Sequence, residues 1–66
     1  MHIKKISLAV AMARKGYNLV RLSEACGVSR QTLSLINSGK ACRPDVAGKI
    51  ARALGVDVKE LIEEVY

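Results

Sequence analysis

The chain has 66 residues, half of them apolar and only two aromatic, which suits one small domain and argues against a disordered chain. Its longest apolar run, from Ile6 to Ala13, is interrupted by Ser7 and falls far short of the roughly 20 residues a membrane span needs. The net charge of +5 is unevenly spread: residues 1–43 carry eight Lys/Arg against Glu24 alone (+7), whereas residues 44–66 carry three against five Asp/Glu (−2). Such an imbalance is the footprint of a surface that meets phosphates.

In chain order, Ile3 to Lys15 is rich in Ala, Leu, Lys and Met and predicts a first helix, stopped by Gly16 after Arg14 and Lys15. Leu8, Ala11, Met12 and Lys15 form one stripe; Ile3, Ile6, Val10 and Ala13 form another. Both cannot be solvated, so this helix is buried on two sides or turns one side to a partner. With Lys4 and Lys5 ahead of an apolar run, the segment superficially resembles a secretory leader. Removing it would take away a helix that the core needs, so a cytoplasmic location is expected. Tyr17 is expected to cover the core.

Leu19 to Lys40 predicts two short helices around a tight turn. Asn18 and Ser29 can each offer a side-chain oxygen to an unpaired N–H at a helix start, and Gly27 supplies the left-handed residue between them. Leu19, Leu22 and Cys26 share a face of the first of the pair; Leu33 and Ile36 share a face of the second. The outward face of the second is then Arg30, Gln31, Thr32, Ser34 and Leu35, mostly short and hydrogen-bonding, the types that suit base edges and phosphates. This is a helix-turn-helix, whose second helix is the one that enters a major groove. Leu35 is expected to be half-buried, contact with a thymine methyl being the alternative.

Residues 38–43 read as a loop, and Pro44 opens a helix to Leu54 whose apolar face is Val46, Ala47, Ile50, Ala51 and Leu54. Gly55 ends it. Asp57 with Glu60 makes a capping box for a last helix from Val58 towards Val65, with Leu61, Ile62 and Val65 apolar and Val56 beneath. The total is five helices with no strand signal, an all-α domain spanning residues 1–66. Cys26, Cys42 and His2 have no metal spacing, and no nucleophile or acid/base pair suggests an enzyme. A buried thiol is expected at Cys26, and a disulfide or a redox role for Cys42 stays open. No cofactor is expected.

The segments Asn18–Gly27 (NLVRLSEACG), Val28–Lys40 (VSRQTLSLINSGK) and Lys49–Val56 (KIARALGV), in that order and at that spacing, resemble the lambda-repressor-like, or XRE/Cro-type, helix-turn-helix family. The resemblance covers nearly the whole chain. It implies a compact five-helix domain that binds operator DNA, usually as a symmetric dimer on a palindrome. Carried over residue by residue, it makes Ser29, Arg30, Gln31, Thr32 and Ser34 groove-facing and Lys40 a phosphate contact. The chain departs from the family pattern in two ways. Leu19 stands where members often have a phosphate-touching Gln. Met12 and Asn37 stand where members commonly pair an Arg with a Glu. Loss of both partners together leaves no unpaired buried charge, a replacement that can be nearly neutral.

On this reading Lys40, Arg43, Arg21 and Lys4 or Lys5 neutralise phosphates, and Gln31 and Arg30 read an adenine and a guanine. Thr32 and Ser34 serve phosphate or a methyl at close range, and Ser29 caps its helix while touching phosphate. The expected partners are double-stranded DNA and a second copy of the chain, with no membrane and no small-molecule effector. The dimer surface is expected on the last helix with Val65 and Tyr66, whose acid-rich face DNA would repel, the alternative being the second stripe of the first helix (Ile3, Ile6, Val10 and Ala13). The expected activity is repression by occupying a promoter. The alternative is an antitoxin or accessory module whose DNA binding depends on a protein partner. RNA is disfavoured, since the basic face lacks aromatics to stack on bases.

Overall fold

The structure, a computed structural model, describes residues 1–63. Its element order is β1 (His2–Ile3), α1 (Lys5–Lys15), α2 (Leu19–Cys26), α3 (Arg30–Asn37), α4 (Pro44–Leu54), α5 (Val58–Leu61) and β2 (Ile62–Glu63). Several helix boundaries follow from local chemistry. The Asn18 side chain accepts a hydrogen bond from the Arg21 N–H at 2.9 Å, and Ser29 Oγ accepts from the Thr32 N–H at 3.2 Å. Pro44 occupies the first turn of α4, where its missing N–H has no partner to lose. Gly27, with φ at +73°, ends α2 in a conformation that a Cβ would strain, and this allows α3 to start three residues later.

Two helices are shorter than the sequence pattern suggests, for one reason. The antiparallel pairing His2↔Glu63 and Ile3↔Ile62 joins the two ends of the described chain. Ile3 therefore lies on a strand and not on α1, which begins only at Lys5, and the Lys4 N–H donates to the Leu61 carbonyl at 2.6 Å. In the same way α5 ends at Leu61, and Ile62 turns extended (φ −92°, ψ 148°). The expected continuation to Val65, and Tyr66 beyond it, lie outside the described residues. The expected capping box at Asp57 takes another form: its carboxylate accepts from the Lys59 N–H at 2.9 Å, and its carbonyl accepts from the Glu60 N–H.

The core is built where the helices converge. Leu8, Leu22, Leu33, Ile50 and Leu61 are its fully buried large side chains, with Ile3, Ala11, Val28, Ile36, Ala47, Ala51 and Leu54 around them. Packing of α2 against both α3 and α4 forms its centre. Met12, Tyr17, Leu19, Cys26 and Val56 lie half-buried against it, so Tyr17 covers the core as expected and Cys26 is less buried than expected. Of the two α1 stripes, the first turns to the core through buried Leu8 and Ala11 and half-buried Met12, while Lys15 at its end is exposed. Ile3 left the second for the strand pair, and Ile6, Val10 and Ala13 stay exposed. Among the described residues no polar or charged side chain is buried, and no helix is long and apolar enough to cross a membrane.

Leu22→Ala is expected to cost about 2–5 kcal/mol in urea unfolding, since it empties a fully buried site. Ile6→Ala, at a position that is 80% exposed, should change stability by no more than about 0.5 kcal/mol.

Candidate nucleic-acid interface

The buried pair Leu33 and Ile36 fixes how α3 is turned about its axis. At 100° per residue, the side facing away from them carries Gln31, Ser34, Leu35 and Ser38, and all four are exposed. Arg30 and Asn37 lie on one flank, also exposed, and half-buried Thr32 lies on the other. Five of the residues expected to face the groove are therefore held on or beside one ridge. Leu35 is the exception to its expectation: it is 52% exposed, because it stands one turn beyond Gln31 on the ridge and not on the core side.

Local hydrogen bonds hold the start of this ridge. Ser29 Oγ accepts from the Thr32 N–H and donates to Thr32 Oγ1 at 2.7 Å. The Thr32 hydroxyl proton is then left free to be donated elsewhere. At the far end, the Lys40 N–H and Ser38 Oγ both donate to the Leu35 carbonyl, at 3.1 and 2.7 Å, and Gly39 turns the chain with φ at +109°. This turn places exposed Lys40 directly after α3. Arg43 follows, its Nε 3.6 Å from Asp45 Oδ1, with both side chains largely solvated. A pair so exposed contributes little and does not remove Arg43 from use. Arg21 is exposed on the first turn of α2. Leu19, where the resemblance led to a Gln, is half-buried against the core, and Met12 also packs there while Asn37 is exposed.

The fold adds neighbours that no local pattern signalled. The Met1 carbonyl accepts from the Cys42 N–H at 2.7 Å, and the N-terminal ammonium donates back to the Cys42 carbonyl at 3.2 Å. Lys5 Cε lies 3.9 Å from where a Cβ on Gly39 would stand. The first residues of the chain are thus brought to the loop after α3, and Lys5 joins Lys40 beside it. The only sequence signal for this was the Lys4–Lys5 pair itself. A shallow groove of about 450 Å³ runs between α3 and this loop, lined by Thr32, Leu35, Ile36, Lys40, Cys42, Arg43 and Val46. Among the described residues no group of three His, Cys, Asp or Glu side chains gathers as a metal site.

A family profile described as a Cro/C1-type HTH DNA-binding domain matches residues 7–65. Solved structures similar in fold include a mutant of hydroxyethylphosphonate dioxygenase, with a TM-score of 0.85, and Phpd with cadmium complexed with hydroethylphosphonate, with 0.84. Each is 23% identical, and each superposition covers all of this chain but only 14% of the other. That likeness concerns the fold alone. No curated protein matches the chain.

Cys26 and Cys42 are both free and half-buried, with no disulfide between them. Burial pushes the Cys42 thiol above its ordinary range and nearby Asp45 adds to this, while the N-terminal ammonium pulls the other way. A raised value means less thiolate at neutral pH, the opposite of what a redox-sensing cysteine needs. Iodoacetamide should therefore modify Cys42 more slowly in the folded chain than in urea, and its rate should keep rising with pH beyond where the unfolded thiol levels off.

Proposed function

The chain belongs to the Cro/C1-type helix-turn-helix DNA-binding domain family, and from that premise we propose that it is a sequence-specific transcriptional regulator, a repressor that binds a palindromic operator as a homodimer with α3 in the major groove. The observation that carries this reading is the α3 ridge: Gln31, Ser34 and Leu35 exposed together and ending in the Gly39 turn with Lys40 and Arg43. Residues 1–66 form one domain in this reading, and it works in the cytoplasm, where it meets duplex DNA. No catalysis, cofactor or small-molecule effector enters it.

Binding divides between two kinds of contact. Lys40, Arg43, Arg21 and Lys5, with Lys4 beside it, meet phosphates and set the register. Counterions released there supply affinity that falls as salt rises. Ser29 and Thr32, at the α3 N-terminus, add hydroxyl contacts to phosphate. Gln31 reads an adenine through two hydrogen bonds and Arg30 a guanine, each worth about 1–3 kcal/mol of discrimination. Ser34 is short enough to let the backbone approach the bases. Leu35, about 6 Å further along the axis than Gln31, presents an apolar surface to a thymine methyl. One such domain covers only about 600–1,000 Å² of its own surface on DNA, so two copies on a palindrome, with recognition helices about 34–36 Å apart, give the affinity a regulator needs. Repression follows from occupying a promoter.

Selection of bound duplexes from a random pool, repeated at two salt concentrations, tests the reading. A palindromic winner whose preference survives higher salt supports it; salt-sensitive binding with no preferred sequence overturns it. On the selected site, Gln31→Ala should relax preference at one base step by about 1–3 kcal/mol. Lys40→Ala should weaken all duplexes alike and reduce the salt slope by about one. Uniform loss from both variants would contradict base reading by Gln31. Replacing one thymine with deoxyuridine, which lacks only the methyl, should weaken the wild type about fourfold and leave Leu35→Ala unaffected.

A further inference from the structure

We propose that the exposed face made by α1 and α5 is the surface on which a second copy of this chain docks; the inference rests on the homodimer reading above and gives it a location. Ile6 and Val10 are 80% and 46% exposed and stand one turn apart on α1, with Arg14 one turn further in the same row. A groove of about 250 Å³ runs beside that row and is closed on its other side by Val56, Glu60 and Leu61. Isolated exposed apolar residues need no explanation, but two neighbours bordering a groove lined also by Ser7, Ala11 and Leu61 make a patch.

The charges on this patch choose its occupant. Arg14 and Glu60 line the same groove and both are exposed. Among the described residues the one ion pair is Arg43–Asp45, so these two are not joined within the chain. An interface about a two-fold axis must be complementary to itself, since the same patch faces its own image. This patch meets the requirement, with an apolar centre, a cation on one bank and an anion on the other. The axis then sets Arg14 of each copy opposite Glu60 of the other, two ion pairs around a centre of paired Ile6 and Val10. The flanking charges do not favour DNA, because Glu60 would be repelled. None of the groove's lining residues belongs to α3 or to the loop after it, so docking leaves the basic ridge uncovered. Recognition helices 34 Å apart require each α3 to sit about 17 Å from the axis. A chain whose Cα extents are 32 × 21 × 18 Å reaches that distance across its own width.

Sedimentation equilibrium on the full chain reads the result. The wild type is expected to dimerise, and Ile6→Lys to raise the dimer Kd about tenfold or more. Arg14→Glu and Glu60→Arg should each weaken the dimer roughly tenfold by setting like charges together, and the double variant should return close to wild type. Circular dichroism, and the urea midpoint at dilutions where every variant is monomeric, should be unchanged, because none of these side chains belongs to the core. The proposal is overturned if the wild type stays monomeric both free and on the selected duplex. It is equally overturned if Ile6→Lys leaves the dimer intact, if the double variant is no better than the singles, or if the face is taken by a different protein while the chain itself stays monomeric. A dimer dissociated by Ile6→Lys but lacking any preferred duplex would sink the regulatory reading and leave this surface standing. A preferred duplex bound by one copy would do the reverse.

Discussion

An eight-residue helix has no stability of its own in water, since isolated helices shorter than about 12–15 residues are marginal even with favourable sequences. Both α2 and α3 are eight residues long. Their existence and orientation are therefore supplied from outside: α2 packs against both α4 and α3, and α3 rests on α2 and on the β1 strand, which buries Leu22, Leu33 and Ile36. Every statement about the outward ridge is a statement about that burial seen from the other side. If Leu33 and Ile36 face inward, the 100° step leaves Gln31, Ser34 and Leu35 facing outward. The left-handed Gly27 contributes the rest, because it lets two such helices follow one another within three residues and share one core.

The parts that were legible in sequence are those whose cause is local. Asn18, Ser29 and Asp57 announce helix starts because each bonds a backbone N–H two or three residues away. Gly16, Gly27 and Gly55 announce ends because the required φ is positive. The outward residues of α3 were legible for the same reason, as a fixed periodicity anchored by two apolar positions. Leu35 was misjudged because an apolar side chain invites a buried assignment, whereas its angle on the helix puts it with Gln31. What stayed hidden was non-local. A two-residue strand has no periodicity to detect, so Ile3 looked like the start of a helical stripe, and its partner Ile62 like the middle of a last helix. The approach of Lys5 to Gly39 and of Met1 to Cys42 likewise depends on the closed fold and on nothing nearby in sequence.

Charge does two different jobs here. Lys15 Nζ lies 3.8 Å from where a Cβ on Gly55 would stand, at the C-terminal end of α4, where a cation complements the helix dipole. That lysine is occupied by the fold, although it counts towards the basic half in any tally. Lys40, Arg43 and Lys5 instead cluster around the end of α3, where no buried anion holds them. The basic residues of positions 1–43 thus do not act alike: Lys15 sits at the end of α4, Arg14 lines the groove between α1 and α5, and Lys40, Arg43 and Lys5 remain around the end of α3.

The strand pair has a consequence for the order in which the chain assembles. Contacts of α2 with α3 and with α4 join residues close in sequence, and such contacts form early because little loop entropy opposes them. The ladder of Ile3 with Ile62 joins almost the two extremes of the chain. During synthesis, Ile3 leaves the ribosome well before Ile62, its partner in the ladder. The packing of α2 with α3 and with α4 can therefore precede the ladder, which acts as a latch that closes last and brings β1 against α3. Its closing seats Ile3 in the core, fixes the start of α1 and brings Lys5 to Gly39, so the basic surface and the packing beneath α3 are completed by the same late step.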